Sequence, residues 1–280
     1  MYSHIKVTPN KNNVGAQIDA ELQNFNDDII NEIKDALAEY GVVFFRNQNL
    51  NSEKYIQFAK QFGPLAEYPM LRGLEGHPEI TVVEKKPDEQ IMFGEGWHTD
   101  STYTKEPPRF TMLYSIKTPE KGKGNTLFAS QYRSYETLDD QMKDKIKDLK
   151  AVFSADGPIS KTRQNRVSEK GTGIDPKSLS AIHSIVKANE RNNKKSLYLS
   201  PGHAIKICDL GDDESKNLMK ELIEHQTKDE FIYGKFYILY LGGTNCFQAE
   251  KNMKFSRYCT IKDIKLMNFE ELVCYLKLSN

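Results

Sequence analysis

The most restrictive stretch of this sequence is the one that runs without interruption from a helical pattern into a strand. Ile29, Ile30, Ile33, Leu37 and Tyr40 recur at helical spacing, and Gly41 stands where a C-terminal cap belongs. Val42-Val43-Phe44-Phe45 follows at once, and four apolar residues that are β-branched or aromatic predict a buried strand. A second helix is expected from Ser52, with Tyr55, Phe58, Ala59 and Phe62 on one face and Gly63-Pro64 as its stop. Short strands are expected at 80–83, 111–115, 126–129 and 197–199 and in the tyrosine-rich stretch 231–241, with helices over 135–149 and 214–226. Many short strands with a few flanking helices predict an α+β chain, mainly β, with a sandwich or barrel at its centre.

A chain of 280 residues can bury one large core, so residues 1–280 are read as a single domain. Residues 155–180 are polar, basic and poor in periodicity, which predicts a mobile lid or loop. The formal net charge of zero gives no reason to expect nucleic acid or an anionic membrane surface as a partner. Cys208, Cys246, Cys259 and Cys274 form no CxxC pair and lack zinc-finger spacing, which suits a reducing compartment. The first residues lack an apolar signal core, and no stretch approaches the roughly 20 apolar residues of a membrane span. A cytoplasmic protein is expected, with a small-molecule substrate and homo-oligomerisation left open.

Chemistry concentrates at His98-Thr99-Asp100. Residues two apart on an extended strand point the same way, so an imidazole nitrogen and a carboxylate oxygen can meet one ion. That pair is two thirds of the facial set of two histidines and one carboxylate that leaves positions open on Fe(II). A bare His-x-Asp occurs often by chance, and its surroundings carry the specificity.

Those surroundings are Gly94-Glu95-Gly96-Trp97-His98-Thr99-Asp100-Ser101-Thr102-Tyr103, then Glu106-Pro107-Pro108 and Gly124-Asn125-Thr126-Leu127-Phe128-Ala129-Ser130. With Gly15-Ala16-Gln17-Ile18, Gly41-Val42-Val43-Phe44-Phe45-Arg46, Phe62-Gly63-Pro64-Leu65, His183-Ser184-Ile185-Val186 and Lys195-Ser196-Leu197-Tyr198-Leu199, they closely resemble the taurine dioxygenase family of Fe(II)/2-oxoglutarate enzymes. The resemblance implies a double-stranded β-helix, or jelly roll, with iron at its open end. It also implies an enzyme that uses O₂ to decarboxylate 2-oxoglutarate to succinate and hydroxylates a substrate C–H bond. His98 and Asp100 would be iron ligands, and Thr126 would bond the cosubstrate carboxylate. Related halogenases lack the carboxylate, so Asp100 favours oxygenation. Arg257, in Phe255-Ser256-Arg257-Tyr258, matches best the late arginine that clamps the far end of the cosubstrate, a task suited to a planar guanidinium.

The family pattern changes in the last part of the chain. Gln248, in Gly243-Thr244-Asn245-Cys246-Phe247-Gln248, falls about where the distal histidine is expected, and its neutral amide oxygen is a weaker ligand than imidazole. His203 is an alternative third ligand. His225, at a helix end, reads as a cap; His183 matches a structural position, and His4 and His77 have no supporting context. Residues 232–263 reflect divergence or a local frame disruption, and 264–280 read as a C-terminal extension. The second arginine that some relatives use for an anionic substrate group is missing, which disfavours taurine itself. Tyr68 occupies the place of a substrate-contacting residue, or is an exposed tyrosine packed on the sheet. Glu95 faces the pocket or solvent. Lys161, Arg163 and Arg166 meet an anionic substrate or form a solvated loop face. Two functions follow: an active dioxygenase of a small sulfonate, phosphonate or carboxylate, or a degenerate homologue that binds without turnover. A zinc hydrolase fits less well, since no His-Glu-x-x-His arrangement occurs.

Overall fold

Two strands, β1 (Lys6–Pro9) and β2 (Ala16–Asp19), open the chain and pair antiparallel. The structure, a computed structural model, describes residues 2–83, 93–116, 126–234, 239–243, 246–250 and 273–278. Helix α1 (Asp27–Tyr40) starts at Asn26, whose side chain accepts from the Ile29 N–H at 2.9 Å, and stops at Gly41, left-handed at φ 76°. Strand β3 (Val42–Phe45) follows, parallel to β2 and buried throughout. The reason is alternation: Val43 and Phe45 pack in the core beneath Ile33 and Leu37 of α1, while Val42 and Phe44 pack with Phe128 in a second cluster. A four-residue apolar run is thus a strand with both faces covered.

Helix α2 (Ser52–Ala59) is capped by Asn51 and ends in a 3₁₀ turn, Lys60–Phe62, before Gly63. Its Phe58 meets the Phe45 ring edge-on at 6.1 Å. Strands β4 (Leu65–Ala66), β5 (Ile80–Val83), β6 (Phe110–Tyr114) and β7 (Thr126–Ser130) lead to α3 (Gln131–Glu136) and α4 (Asp140–Ile146). One helix was expected over 135–149. It is two, because the Thr137 hydroxyl bonds back to Arg133 O at 2.9 Å and Asp139 caps a fresh helix by accepting from Met142 N at 2.7 Å.

Next come β8 (Lys150–Ser154), a 3₁₀ turn (Pro158–Arg163), α5 (Gln164–Lys170), β9 (Ser180–Ser184), β10 (Val186–Ala188), β11 (Lys195–Leu197), β12 (Ala204–Ile207), α6 (Asp212–Gln226) and β13 (Ile232–Gly234). The sheet β12-β8-β9 and helix α6 enclose another core around Phe153, Tyr198, Leu218 and Leu222. His225 does not cap its own helix. Its Nε2 lies 2.7 Å from Ser134 O and 3.2 Å from Thr137 Oγ1, so it ties α6 to α3.

Three strands complete the sheets: β14 (Leu239–Gly243), β15 (Cys246–Glu250) and β16 (Val273–Leu278). The eight-stranded sheet runs β1-β2-β3-β14-β6-β16-β4, with β5 also on β16, and a three-stranded sheet runs β13-β7-β15. Part of the expected C-terminal extension is therefore an inner strand. Among the described residues, no helix is long and apolar enough to cross a membrane.

Candidate active site

His98 and Asp100 sit on the loop between β5 and β6, and two local contacts aim them. Gly96 adopts φ 118°, a conformation that side-chain-bearing residues rarely take, and its carbonyl lies 2.8 Å from His98 Nδ1. A carbonyl only accepts, so Nδ1 carries the proton and donates, which leaves Nε2 to face Asp100. Asp100 Oδ2 accepts from the Thr111 hydroxyl at 2.9 Å, and Oδ1 stands 3.7 Å from His98 Nε2. Two donors on one ion, each at about 2.1 Å, are about 3.0 Å apart at a right angle and about 3.6 Å apart at 120°. At 3.7 Å the pair is slightly wider than the 120° value, and it brings to one side of the pocket the nitrogen–oxygen donor set that a divalent ion takes.

The loop is anchored from behind. Thr99 N donates to Ser200 Oγ at 3.0 Å, and His183 Nε2 lies 2.9 Å from Thr104 O. Burial and then the Lys187 charge lower the His183 pKa, so it braces the loop as a neutral donor. Gly202 is needed for closeness: a Cβ there would lie 3.0 Å from His98 Cβ.

His98 and Asp100 line a pocket with Tyr68, Tyr103, Arg163 and His203. His203 is buried, and its ring centroid is 6.4 Å from that of His98. Two imidazoles on one ion at a right angle would place their centroids about 4.6 Å apart, given bonds of about 2.1 Å. As placed, His203 is a wall of the pocket, stacked edge-on with Tyr103 at 5.1 Å. Among the described residues, no group of three or more His, Cys, Asp or Glu side chains can hold an ion.

The other expected residues divide. Tyr68 is no exposed tyrosine: it is buried in the pocket wall. Glu95 is half-buried beside the loop and is not a lining residue. Thr126 begins β7 opposite Glu250, and Gln248 lies in β15 opposite Phe128, so both belong to the sheet β13-β7-β15. Arg257 lies outside the described residues.

Residues 155–180, expected as a lid, supply one wall. Ile159, Thr162 and Arg163 are buried, Gly94 N donates to Thr162 Oγ1 at 3.2 Å, and Thr172 Oγ1 donates to Pro69 O at 2.6 Å. Arg163 is therefore not a solvated loop charge. It is 5% exposed, because the 3₁₀ turn rotates it inward beneath the Tyr103 ring. Burial raises the pKa of both Tyr68 and Tyr103, so each remains a phenol able to donate. Tyr103, Thr111 and Thr162 were missed as site residues from sequence, since only tertiary contact brings them to His98 and Asp100.

The family model described as taurine catabolism dioxygenase TauD, TfdA family matches residues 6–234. An α-ketoglutarate-dependent sulfonate dioxygenase of Saccharomyces cerevisiae is 28% identical over 78% of this chain, which spans about half of it, 53%. An (S)-phenoxypropionate/α-ketoglutarate dioxygenase of Sphingobium herbicidovorans is 30% identical over 72% of each chain. The solved structure of a taurine dioxygenase from Burkholderia xenovorans superposes with a TM-score of 0.77 at 23% identity, covering 99% of this chain and 90% of that one. Enzymes of this family are oxidoreductases that depend on Fe(II) and 2-oxoglutarate.

Proposed function

The chain belongs to the TauD/TfdA family, and from that premise we propose that it is an Fe(II)- and 2-oxoglutarate-dependent dioxygenase hydroxylating a small sulfonate, phosphonate or carboxylate. The observation that carries this reading is the convergence of His98 Nε2 and Asp100 Oδ1, 3.7 Å apart at the pocket. When bound, Fe(II) and 2-oxoglutarate supply O₂ activation, with succinate and CO₂ as products and an oxidant for the substrate C–H bond. The chain's own residues do the rest. Gly96 O holds the His98 tautomer, Thr111 orients Asp100, and Thr126 and Arg257 take the two ends of the cosubstrate. Gln248 supplies the third ligand, and Tyr68 meets the substrate. In this reading the eight-stranded and three-stranded sheets are the faces of a double-stranded β-helix, all within one domain.

A second reading is a degenerate homologue that keeps the fold and binds without turnover. It is favoured by one observation: the family match ends at residue 234, before Gln248 and Arg257. Anaerobic titration with Fe(II) and 2-oxoglutarate separates the two. An active enzyme develops a weak visible charge-transfer band and releases succinate on exposure to O₂. Absence of both the band and any thermal stabilisation by the pair rejects the dioxygenase.

A further inference from the structure

We propose that Arg163 is a specificity-determining residue, receiving the anionic group of the organic substrate in the pocket that His98 and Asp100 line. The inference rests on the dioxygenase reading and deepens it.

Arg163 is 5% exposed, and its guanidinium donates to Tyr68 Oη at 3.4 Å and to Ala155 O. Its carbon lies 6.0 Å from the Tyr103 ring centroid. Tyr68 and Tyr103 are hydrogen-bonded to each other, and Ser101 Oγ donates to Tyr103 Oη at 3.2 Å. This chain of hydroxyls runs from the guanidinium to the residue next to Asp100. Among the described residues, no carboxylate makes an ion pair with Arg163. A buried guanidinium whose partners among the described residues are a phenol, a carbonyl and an aromatic ring has lost water without gaining a counter-charge. Two of its five N–H groups are engaged by the phenol and the carbonyl, and its planar fork suits a carboxylate, sulfonate or phosphonate.

Charge supports the placement. Among the described residues lining the pocket, Arg163 is the one permanent cation, while Asp100 brings a negative charge to the same space. An anion entering alone is repelled by Asp100 and drawn to Arg163, so its charged end lies by the 3₁₀ turn. Ile159 and Phe93 line the same pocket and offer an apolar surface to a short carbon body, whose C–H bonds then face His98 and Asp100. The turn that carries Arg163 is held by Ile159 N donating to Gly202 O at 3.0 Å, so the guanidinium is fixed relative to the Gly202 backbone packed on His98.

The same anionic chemistry could come from the cosubstrate, and the test separates the two sources. The full chain and its Arg163→Gln, Arg163→Lys and Tyr68→Phe variants are titrated calorimetrically with butanesulfonate, with its neutral near-isostere butanesulfonamide, and with N-oxalylglycine in the presence of Mn(II). Wild type is expected to bind butanesulfonate at least tenfold more tightly than butanesulfonamide. Arg163→Gln should abolish that preference, Arg163→Lys should retain part of it, Tyr68→Phe should weaken it a few fold, and N-oxalylglycine should bind all four alike. If Arg163→Gln does not fold, the Lys and Phe variants decide, since both must lose affinity for the sulfonate and not for the sulfonamide. Unchanged discrimination in the folded variants overturns the proposal. So does loss of N-oxalylglycine binding with butanesulfonate binding intact, which would assign Arg163 to the cosubstrate. A wild-type chain that binds no N-oxalylglycine, yet loses butanesulfonate on Arg163→Gln, sinks the dioxygenase reading and leaves the anion subsite standing.

Discussion

Residues 6–234 and the strands after them build the same sheets, but they meet different demands. The first region supplies β1 to β13 and, among the described residues, the side chains that line the pocket, and it is the part that matches the family. The second supplies β14 between β3 and β6, β16 between β6 and β4, and β15 beside β7. Likeness in fold to a taurine dioxygenase covers 99% of the chain, whereas the family match stops at residue 234. A slot in a sheet is filled by backbone N–H and C=O groups, which every residue but proline brings. A ligand position accepts few side chains. The fold therefore tolerates sequence change that the chemistry of a third ligand does not.

Asp100→Asn should lower 2-oxoglutarate turnover by about 10³-fold, some 4 kcal/mol in barrier, with little change in melting temperature. Succinate assays check it, and near-normal turnover would remove Asp100 from the metal site. In the second region, Leu241→Pro should cost about 1–3 kcal/mol in urea unfolding, because proline removes a ladder hydrogen bond from an inner strand and leaves its buried partner unsatisfied. A neutral result would mean that β14 is not held between β3 and β6.

Smaller effects sharpen the contrast. Thr111→Val removes the donor to Asp100 and should weaken metal binding or turnover by about 10- to 100-fold, the usual range for such supporting groups. Calorimetric titration with Fe(II) or Mn(II) reads it directly, and an unchanged affinity would show that Asp100 needs no orientation. Gln248→His should tighten metal binding by about tenfold, near 1.4 kcal/mol, if β15 borders the ion as the family pattern implies. No change would place the third ligand elsewhere and leave the second region with a purely structural part.

Much of the fold could be read along the chain because its signals are local. The α1 stripe, the Gly41 cap and the run Val42-Val43-Phe44-Phe45 lie within about twenty residues, whereas the Asn26 cap was found only in the structure. The split at Thr137 to Asp139 was not legible, since the apolar spacing over 135–149 continues while side-chain hydrogen bonds interrupt the backbone. Residues 155–180 resembled a loop for a similar reason: a 3₁₀ turn is too short to show a period, although three of its side chains are buried.

Read alone, the chain already singles out the pair His98 and Asp100, because side chains separated by one residue are brought together by local backbone geometry. It does so for the family as well, through motifs that surround the pair. Long-range packing alone turns Arg163 inward to Tyr68, brings Tyr103 and His203 together in the pocket wall, and sets Thr111 against Asp100. These partners lie 11 to 100 residues apart in the chain. No periodicity encodes such contacts; they follow from which surfaces the buried strands bring face to face.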